Sequence, residues 1–171
     1  MEYLRVSEST ISQLKKHKGL KEAIERDGKT VLNLGAGAIG IEGEGGDVWI
    51  TEQAIKALDY GFSPNIAFKL FNDNFFLDML DLELIFRGNK KTINRYKGRV
   101  IGLEGKIKKH IEELSHSYIS VSGNKVFIIG EFEDLKNAKE AIMRILEGSE
   151  HSSVFSFLGK RVKEQKILGY R

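Results

Sequence analysis

The feature that most constrains the fold is the tetrapeptide GLEG at residues 102–105, which separates two helical patterns. Before it, residues 92–100 predict a short basic helix. After it, KIKKHIEEL places Ile107, Ile111 and Leu114 on one face of a second helix. Because glycine adopts backbone conformations that other residues avoid, a glycine at each end of so short a connection predicts a tight loop between the two helices.

The elements around these helices complete an ordered series. In LDLELIF, residues 80–86, apolar and polar side chains alternate over the first five positions and predict a half-buried strand. YISVS and KVFIIG predict two short strands joined through Gly123 and Asn124. Residues 131–148 then predict a helix with one apolar face, which ends at Gly148. The predicted order is β-α-α-β-β-α.

The first half of the chain repeats this order in a less regular form. Where the second half has its glycine loop, the first half has KKHKG, in which only Gly19 remains. The predicted elements are a strand at 3–6, helices at 8–17 and 18–26, a hairpin at 31–34 and 38–41, and a closing helix at 47–60.

The repeat predicts an α+β protein of two tandem domains. Each domain is expected to have a three-stranded antiparallel sheet with helices on one face. We place the domains at 1–61 and 79–149, with a linker helix and connection at 62–78 and a basic C-terminal segment at 150–171. Ser63 and Pro64 predict the start of the linker helix. Since Pro64 is the only proline, no Pro-rich hinge separates the halves, and we expect them to pack as one rigid unit.

Basic residues are concentrated in two segments. Residues 87–110 contain nine lysines and arginines against Glu104, and residues 159–171 contain five against Glu164. These segments carry +8 and +4, so the rest of a chain of net charge +3 carries −9. A basic stripe on an otherwise acidic protein indicates a polyanionic partner, although a solvated helix face produces the same pattern.

The segment GAGAIG, residues 35–40, matches the G-x-G-x-x-G pattern of dinucleotide-binding enzymes. In those enzymes a helix opens at the glycines and its N-terminus holds the pyrophosphate. Here three more glycines follow by residue 46, and each costs about 1 kcal/mol against alanine in a helix. The sequence therefore favours a hairpin with a GAG turn over a nucleotide site.

Nothing in the sequence indicates catalysis, a metal or another cofactor. The chain has no cysteine, and its four histidines lack the spacing of metal ligands. GLEGK lacks the first glycine and the following Ser or Thr of a phosphate-binding loop of the Walker type. No apolar run approaches the about 20 residues that span a bilayer, so we expect a cytoplasmic protein without membrane contact.

The segment RVIGLEGKIKKHI resembles the V-I-G-x-x-G-x-x-I signature of KH domains, in the element order of their type I form. Three further segments, GFSP, IEELSHSYISV and HSSVFSFL, extend the likeness over nearly the whole chain. On these residues the chain resembles archaeal two-KH proteins related to the small-subunit ribosome assembly factor called partner of Nob one. The resemblance implies binding to the 3′ region of small-subunit rRNA during its maturation. It also implies contact with the maturation endonuclease and with the alpha subunit of translation initiation factor two.

The glycine loop of the second domain is the candidate RNA site. Gly102 and Gly105 let a phosphate backbone approach the loop and the helix behind it, and KH loops hold about four nucleotides of single strand. Nearby cations supply the salt-dependent part of the affinity, and apolar residues floor a groove for bases. For Val100 and Ile107, core packing is the favoured role. The predicted contacts are Arg95, Lys97, Arg99, Ile101, Gly102, Leu103, Glu104, Gly105, Lys106, Lys108, Lys109, Ile119, Ser120 and Val121.

Two features favour an alternative function. Glu104 places a carboxylate in the loop, where it repels phosphate unless it turns away or pairs with Lys106 or Lys108. The first domain lacks the leading glycine, so a protein contact accounts for it at least as well as RNA binding. A protein-interaction scaffold with little RNA affinity therefore stays open as the alternative.

The C-terminal segment has an apolar first part and a basic second part. Phe155, Phe157 and Leu158 predict that its first part docks on the second domain. The chain after Lys160 has a net positive charge, and we expect it to become ordered only with RNA.

Overall fold

The computed structural model describes residues 1–169 of the 171-residue chain, which forms two compact units. The first unit is Met1–Phe75 and the second begins at Phe76. Arg171, which we count among the cations of the C-terminal segment, lies outside the described residues. Within residues 1–169, no helix combines the length and the apolar composition that a membrane crossing requires.

The first unit has the predicted order β-α-α-β-β-α. Its elements are β1 (Glu2–Arg5), α1 (Glu8–Lys16), α2 (Lys18–Gly28), β2 (Val31–Leu34), β3 (Ala38–Glu42) and α3 (Gly45–Asp59). A short helix, α4 (Pro64–Ala67), and a 3-10 turn (Phe68–Phe71) follow. Because the unit extends to Phe75, these two elements of the expected linker belong to the first unit.

The sheet of the first unit is antiparallel, in the order β1-β3-β2. Leu4, Leu32, Ile39 and Ile41 are buried, because alternate side chains of each strand point to the same face. The hairpin closes where Gly35 N–H donates to the Ala38 carbonyl at 3.0 Å. GAGAIG therefore forms a turn and a strand, as predicted, and the next helix begins only at α3.

The second unit contains the glycine loop and a longer series of elements. They are β4 (Phe75–Asp81, whose first residue is counted with the first unit), α5 (Leu82–Ile85), α6 (Lys90–Ile101), a 3-10 turn (Leu103–Gly105), α7 (Lys106–Ser115), β5 (Tyr118–Ser122), β6 (Lys125–Glu131), α8 (Phe132–Leu146) and α9 (His151–Ile167). The predicted helices at 92–100 and 131–148 and the predicted β5–β6 hairpin are confirmed, with the strand order β4-β6-β5.

The prediction of a strand at residues 80–86 was wrong in its bounds, because the strand lies nearer the N-terminus. The strand is β4, which ends at Asp81, and the rest of the segment forms the short helix α5. The cause is local: the Asp81 carboxylate accepts hydrogen bonds from the N–H groups of Glu83 at 2.9 Å and Leu84 at 3.3 Å. A side chain that satisfies the first N–H groups of a turn favours helix over strand.

The core of the second unit lies between the sheet and helices α6, α7 and α8. Strand β6 is buried from Val126 to Ile129, and α8 contributes a buried face that includes Ile142 and Ile145. Helix α9 adds Val154 and Leu158, which are both fully buried in the same core. The first part of the C-terminal segment is therefore docked on the second unit, as predicted.

The expectation that the chain after Lys160 becomes ordered only with RNA was wrong. Helix α9 continues to Ile167 without RNA. Polar contacts to α8 extend along it, because Arg161 lies 3.6 Å from Glu140 and the Gln165 side chain accepts from Asn137 at 2.8 Å. These contacts hold the outer half of the helix beyond the last buried apolar residue.

Candidate nucleic-acid interface

The connection between α6 and α7 is a tight loop whose shape depends on three left-handed residues. Gly102 has φ 74° and ψ 174°, Glu104 has φ 54°, and Gly105 has φ 73°. The Gly105 N–H donates to the Gly102 carbonyl at 3.2 Å and closes the turn. The prediction of a tight glycine loop between two helices is therefore confirmed.

The two glycines are required for different reasons. A Cβ on Gly102 would overlap the side chain of Ile107 and would lie 2.9 Å from the Ile107 backbone nitrogen. A Cβ on Gly105 would meet open space, so only its positive φ disfavours another residue there. Gly102 thus allows the loop to pack on α7, whereas Gly105 leaves the approach to α7 unobstructed.

The N-terminus of α7 is open to an anion. Its N-cap residue is Gly105, so no side chain caps the first turn. The first N–H groups of a helix have no intrahelical partner and carry the positive end of the helix dipole. Backbone N–H groups in this arrangement bind phosphate groups.

The loop interior projects into solvent. Leu103 is 79% exposed. The Glu104 carboxylate lies 3.9 Å from Lys106 Nζ, and both side chains are more than 70% exposed. An ion pair this exposed contributes little energy, so Lys106 does not cancel the charge of Glu104. The carboxylate therefore leaves a negative charge beside the loop and weakens the attraction of the loop for phosphate.

The predicted cations divide into two groups. Arg95, Lys106 and Lys109 are exposed, and the half-buried Lys97 places its Nζ 3.5 Å from Asn124 Oδ1. These side chains lie on α6 and α7, on both sides of the loop. They are the cations that remain available to a phosphate backbone.

Arg99 and Lys108 are bound within the protein instead. Arg99 donates to the carbonyl groups of Ile145 at 2.9 Å and Ser149 at 2.6 Å. Lys108 donates to the Ile119 carbonyl at 3.1 Å and lies 3.2 Å from a Glu112 carboxylate oxygen. These contacts assign both residues a structural role.

The predicted apolar floor is smaller than expected. Ile119 is 3% exposed and Val100 is fully buried, so both belong to the core. Ile107 and Val121 are partly buried and pack against that core. On β5, Ser120 points to the opposite face from Ile119 and Val121 because side chains alternate along a strand. Of the apolar residues expected to floor the groove, Ile101, Ile107 and Val121 keep part of their surface exposed.

Two residues that sequence reasoning did not assign to the site lie beside it. The His110 and Phe155 rings meet edge to face with centroids 4.3 Å apart. Together with residues of α7 they line a cavity of about 410 Å³. No local pattern signals this pair, because α7 and α9 lie far apart in the sequence and only the packing of α9 brings them together.

The first unit has no equivalent of this loop. Helices α1 and α2 are joined at His17, whose φ is −109°, and Gly19 lies inside α2. Beside the end of α1 lies a cavity of about 640 Å³. Its lining consists of Glu8, Ile11, Ser12, Lys15, Lys16, Gly35, Ala36 and Gly37. Within the described residues, His, Asp and Glu side chains form no cluster that could hold a metal ion.

Comparison with known proteins identifies the domain type of the second unit. Residues 76–163 match a family model described as a eukaryotic-type KH domain, KH-domain type I, for the second such domain of PNO1. The chain is 36% identical over 174 residues to the KH domain-containing protein MJ0443 of Methanocaldococcus jannaschii, covering 98% of this chain and 75% of that protein.

Two further comparisons link the chain to ribosome-related proteins. It is 33% identical over 119 residues to the pre-rRNA-processing protein pno1 of Aspergillus fumigatus, and it spans 47% of that protein's length. It also matches a chain in the solved a/eIF2alpha-aDim2p-rRNA complex of Pyrococcus horikoshii with a TM-score of 0.82 and 33% identity. That match covers 95% of this chain and 94% of the other.

Proposed function

Because the chain belongs to the family of KH-domain proteins that includes PNO1 and its archaeal relatives, we propose that it binds single-stranded RNA during assembly of the small ribosomal subunit. The observation that carries the proposal is the loop at Gly102 and Gly105. It leads into a helix N-terminus that no side chain caps, and exposed cations stand on both sides of it. This is the geometry that a KH domain uses to hold a nucleic-acid backbone.

In this proposal the phosphates of the RNA strand lie against Gly105 and the first N–H groups of α7. Lys106, Lys109 and Arg95 supply the charge, with Lys97 close by. Ile101 and Val121 offer apolar surface to bases, whereas Arg99, Lys108 and Ile119 support the site from within the protein. The remaining predicted contacts, Leu103, Glu104 and Ser120, stay proposals.

The proposed RNA is the 3′ region of small-subunit rRNA. The family resemblance motivates this choice, and the Pyrococcus horikoshii neighbour was solved in a complex with rRNA. The same complex contains the alpha subunit of initiation factor two, which we propose as a protein partner. The maturation endonuclease is a further proposed partner on family grounds alone. A cytoplasmic location and the absence of an enzymatic activity stay predictions.

We propose that residues 1–61 form a degenerate KH domain that contacts protein. The element order and the antiparallel sheet support the domain type. The absent glycine loop argues against an RNA clamp there, and the cavity beside Lys15 and Lys16 offers a surface for a partner. That this domain and the second one pack as one rigid unit stays a prediction.

The scaffold alternative has one specific observation in its favour. Of the six cations predicted to contact RNA, Arg99 and Lys108 are bound within the protein, and Glu104 adds a negative charge. Under this alternative, the second KH domain would bind RNA only weakly and act through protein contacts.

The test is fluorescence anisotropy with a labelled oligonucleotide from the 3′ end of small-subunit rRNA, titrated at several salt concentrations. The test variant is Gly105→Asp, since Gly105 faces open space and Gly102 packs on Ile107. The matched control is Gly19→Asp, the same change near the start of α2 in the first unit, where a Cβ also meets open space. Circular dichroism and urea denaturation verify that both variants are folded.

We expect wild-type affinity to fall with salt, with a logarithmic slope of about −0.7 for each phosphate contacted. Gly105→Asp should weaken binding at least about tenfold, and Gly19→Asp should bind like the wild type. Loss of binding in Gly19→Asp alone would show that the RNA-binding site lies in the first unit. Weak binding by the wild type at low salt would favour the scaffold.

A further inference from the structure

A groove runs along the side of α7 that faces α9, next to the glycine loop. Its volume is about 410 Å³, which lies in the range of small-ligand sites. Ile107 and Phe155 form its apolar part, and the His110 ring stands edge to face against Phe155. Lys106, Lys109 and Glu113 complete the lining.

The charge of the groove suits an anion. Lys106 and Lys109 face one acidic residue, Glu113, among the lining residues that the structure describes. Glu113 lies 4.0 Å from His110 Nδ1, and its side chain is 60% exposed. Lys109 has no ion-pair partner in residues 1–169, and the partner of Lys106 is the exposed Glu104.

The aromatic part of the groove is held in place. Phe155 packs against the core of the second unit, and the His151 ring lies nearly parallel to it at 6.3 Å. His151 Nε2 is 2.9 Å from the Arg99 carbonyl oxygen, which ties the start of α9 to the last turn of α6. A fixed ring beside cations is the combination on which nucleobases stack while their phosphates are neutralised.

The groove also continues the glycine loop. Lys106 is the residue after Gly105, and the lining extends to Glu113, about 10 Å further along α7 at 1.5 Å per residue. An RNA strand whose backbone lies against the glycine loop would enter the groove without leaving the protein surface.

We propose that this groove between α7 and α9 binds the one or two nucleotides that follow those held at the glycine loop, with a base on the Phe155–His110 pair and a phosphate at Lys109. The inference rests on the proposed function, since it extends the same RNA strand. It makes α9 a part of the RNA-binding surface.

The test compares a four-nucleotide and an eight-nucleotide RNA of the same 3′-end sequence in NMR titrations of the full chain. Both RNAs should shift the amide signals of the glycine loop, and only the longer RNA should shift those of Phe155 and its neighbours. We expect the longer RNA to bind at least tenfold more tightly.

Two groove variants and a control make the test specific. His110→Glu places a negative charge in the groove, and Phe155→Leu removes the ring but retains apolar bulk. Both should bind the four-nucleotide RNA like the wild type and bind the eight-nucleotide RNA at least fivefold more weakly. Ser153→Glu adds a negative charge at an exposed position of α9 and should change neither affinity. Melting temperatures verify the fold of each variant.

The outcomes separate the two proposals. If His110→Glu and Phe155→Leu bind both RNAs like the wild type, the groove inference is overturned and the loop site stands. If the loop amides shift with neither RNA, or shift equally in Gly105→Asp, the loop site fails and the inference fails with it. If an acidic peptide shifts the groove amides and RNA does not, the groove is a protein site and the inference is wrong.

Discussion

Arg99 Nη2 lies 2.6 Å from the carbonyl oxygen of Ser149, and this hydrogen bond joins the last turn of α6 to the connection between α8 and α9. A second hydrogen bond from the same guanidinium reaches the Ile145 carbonyl. Carbonyl groups at a helix C-terminus have no intrahelical partner, and a cation there also interacts favourably with the helix dipole. Arg99 therefore stabilises the helix arrangement directly before the glycine loop.

Replacing Arg99 should reduce stability. Arg99→Ala is expected to lower the free energy of unfolding by about 2 kcal/mol, since hydrogen bonds from a charged donor contribute about 1.5–3 kcal/mol. Arg99→Lys should recover only part of the lost stability, because the single Nζ of lysine cannot reach both carbonyl groups as the forked guanidinium does. Urea denaturation measures the difference, with Lys91→Ala on the same helix as control. Equal stability of the Arg99→Ala and Lys91→Ala variants would contradict the structural role.

The two loop glycines should respond differently to alanine. Gly102→Ala forces a non-glycine residue into a backbone region that only glycine occupies readily, at a cost of about 1–3 kcal/mol, and it also overlaps Ile107. Gly105→Ala has only its positive φ to overcome, at about 1–2 kcal/mol. Urea denaturation should therefore rank Gly102→Ala as the less stable variant. The reverse order would show that Ile107 moves aside without cost.

Removing the loop carboxylate should strengthen RNA binding. Glu104→Asn eliminates a negative charge at a residue with φ 54°, a conformation that asparagine tolerates better than glutamate. A unit charge about 4 Å from a phosphate in water is worth about 1 kcal/mol, which corresponds to a roughly fivefold gain in affinity. Anisotropy at low salt tests this, and the gain should shrink as salt rises. An unchanged affinity would mean that Glu104 points away from the bound strand.

Glu25 should make stability depend on pH. Burial raises the pKa of its carboxyl group, but the hydrogen bond and charge of Lys21 and the hydrogen bond from Leu32 N–H outweigh this, and the pKa lies below the ordinary value of 4.5. A lowered pKa contributes stability that is fully present above pH 4.5 and is lost as the pH falls through the folded-state value. At pH 7, Glu25→Gln should be less stable by about 1 kcal/mol, the difference between a charged and a neutral hydrogen-bond partner.

The check on Glu25 is urea denaturation of wild type and Glu25→Gln from pH 7 to pH 3. The two curves of stability against pH should converge at the acid end. A difference that stays constant across this range would show that the charge of Glu25 contributes nothing and that only the hydrogen bonds matter.

Much of the fold was predictable because its signals are local. Helices α6, α7 and α8 have apolar residues at helical spacing, and the β5–β6 hairpin turns at Gly123 and Asn124. The glycine loop was predictable for the same reason, since a positive φ at both ends needs glycine in most cases. Residues 80–86 show the limit of such patterns. There a single carboxylate, that of Asp81, converted an alternating segment into a helical turn.

The roles of the cations were not predictable from local patterns. Arg99 reaches carbonyl groups 46 and 50 residues away, and Lys108 reaches one 11 residues away. In the sequence these side chains look like Lys106 and Lys109, which remain exposed. Whether a lysine or arginine faces phosphate or protein depends on which helix packs beside it.

The sequence by itself determined the order of the elements, the position of the glycine loop and the overall excess of positive charge around it. Spacing of apolar residues and the backbone freedom of glycine act over a few residues, so they can be read directly. Only the tertiary structure decided that Ile119 is core, that Arg99 and Lys108 are bound within the protein, and that Phe155 meets His110 beside the loop. These features depend on contacts between distant segments, which form when apolar faces are buried together.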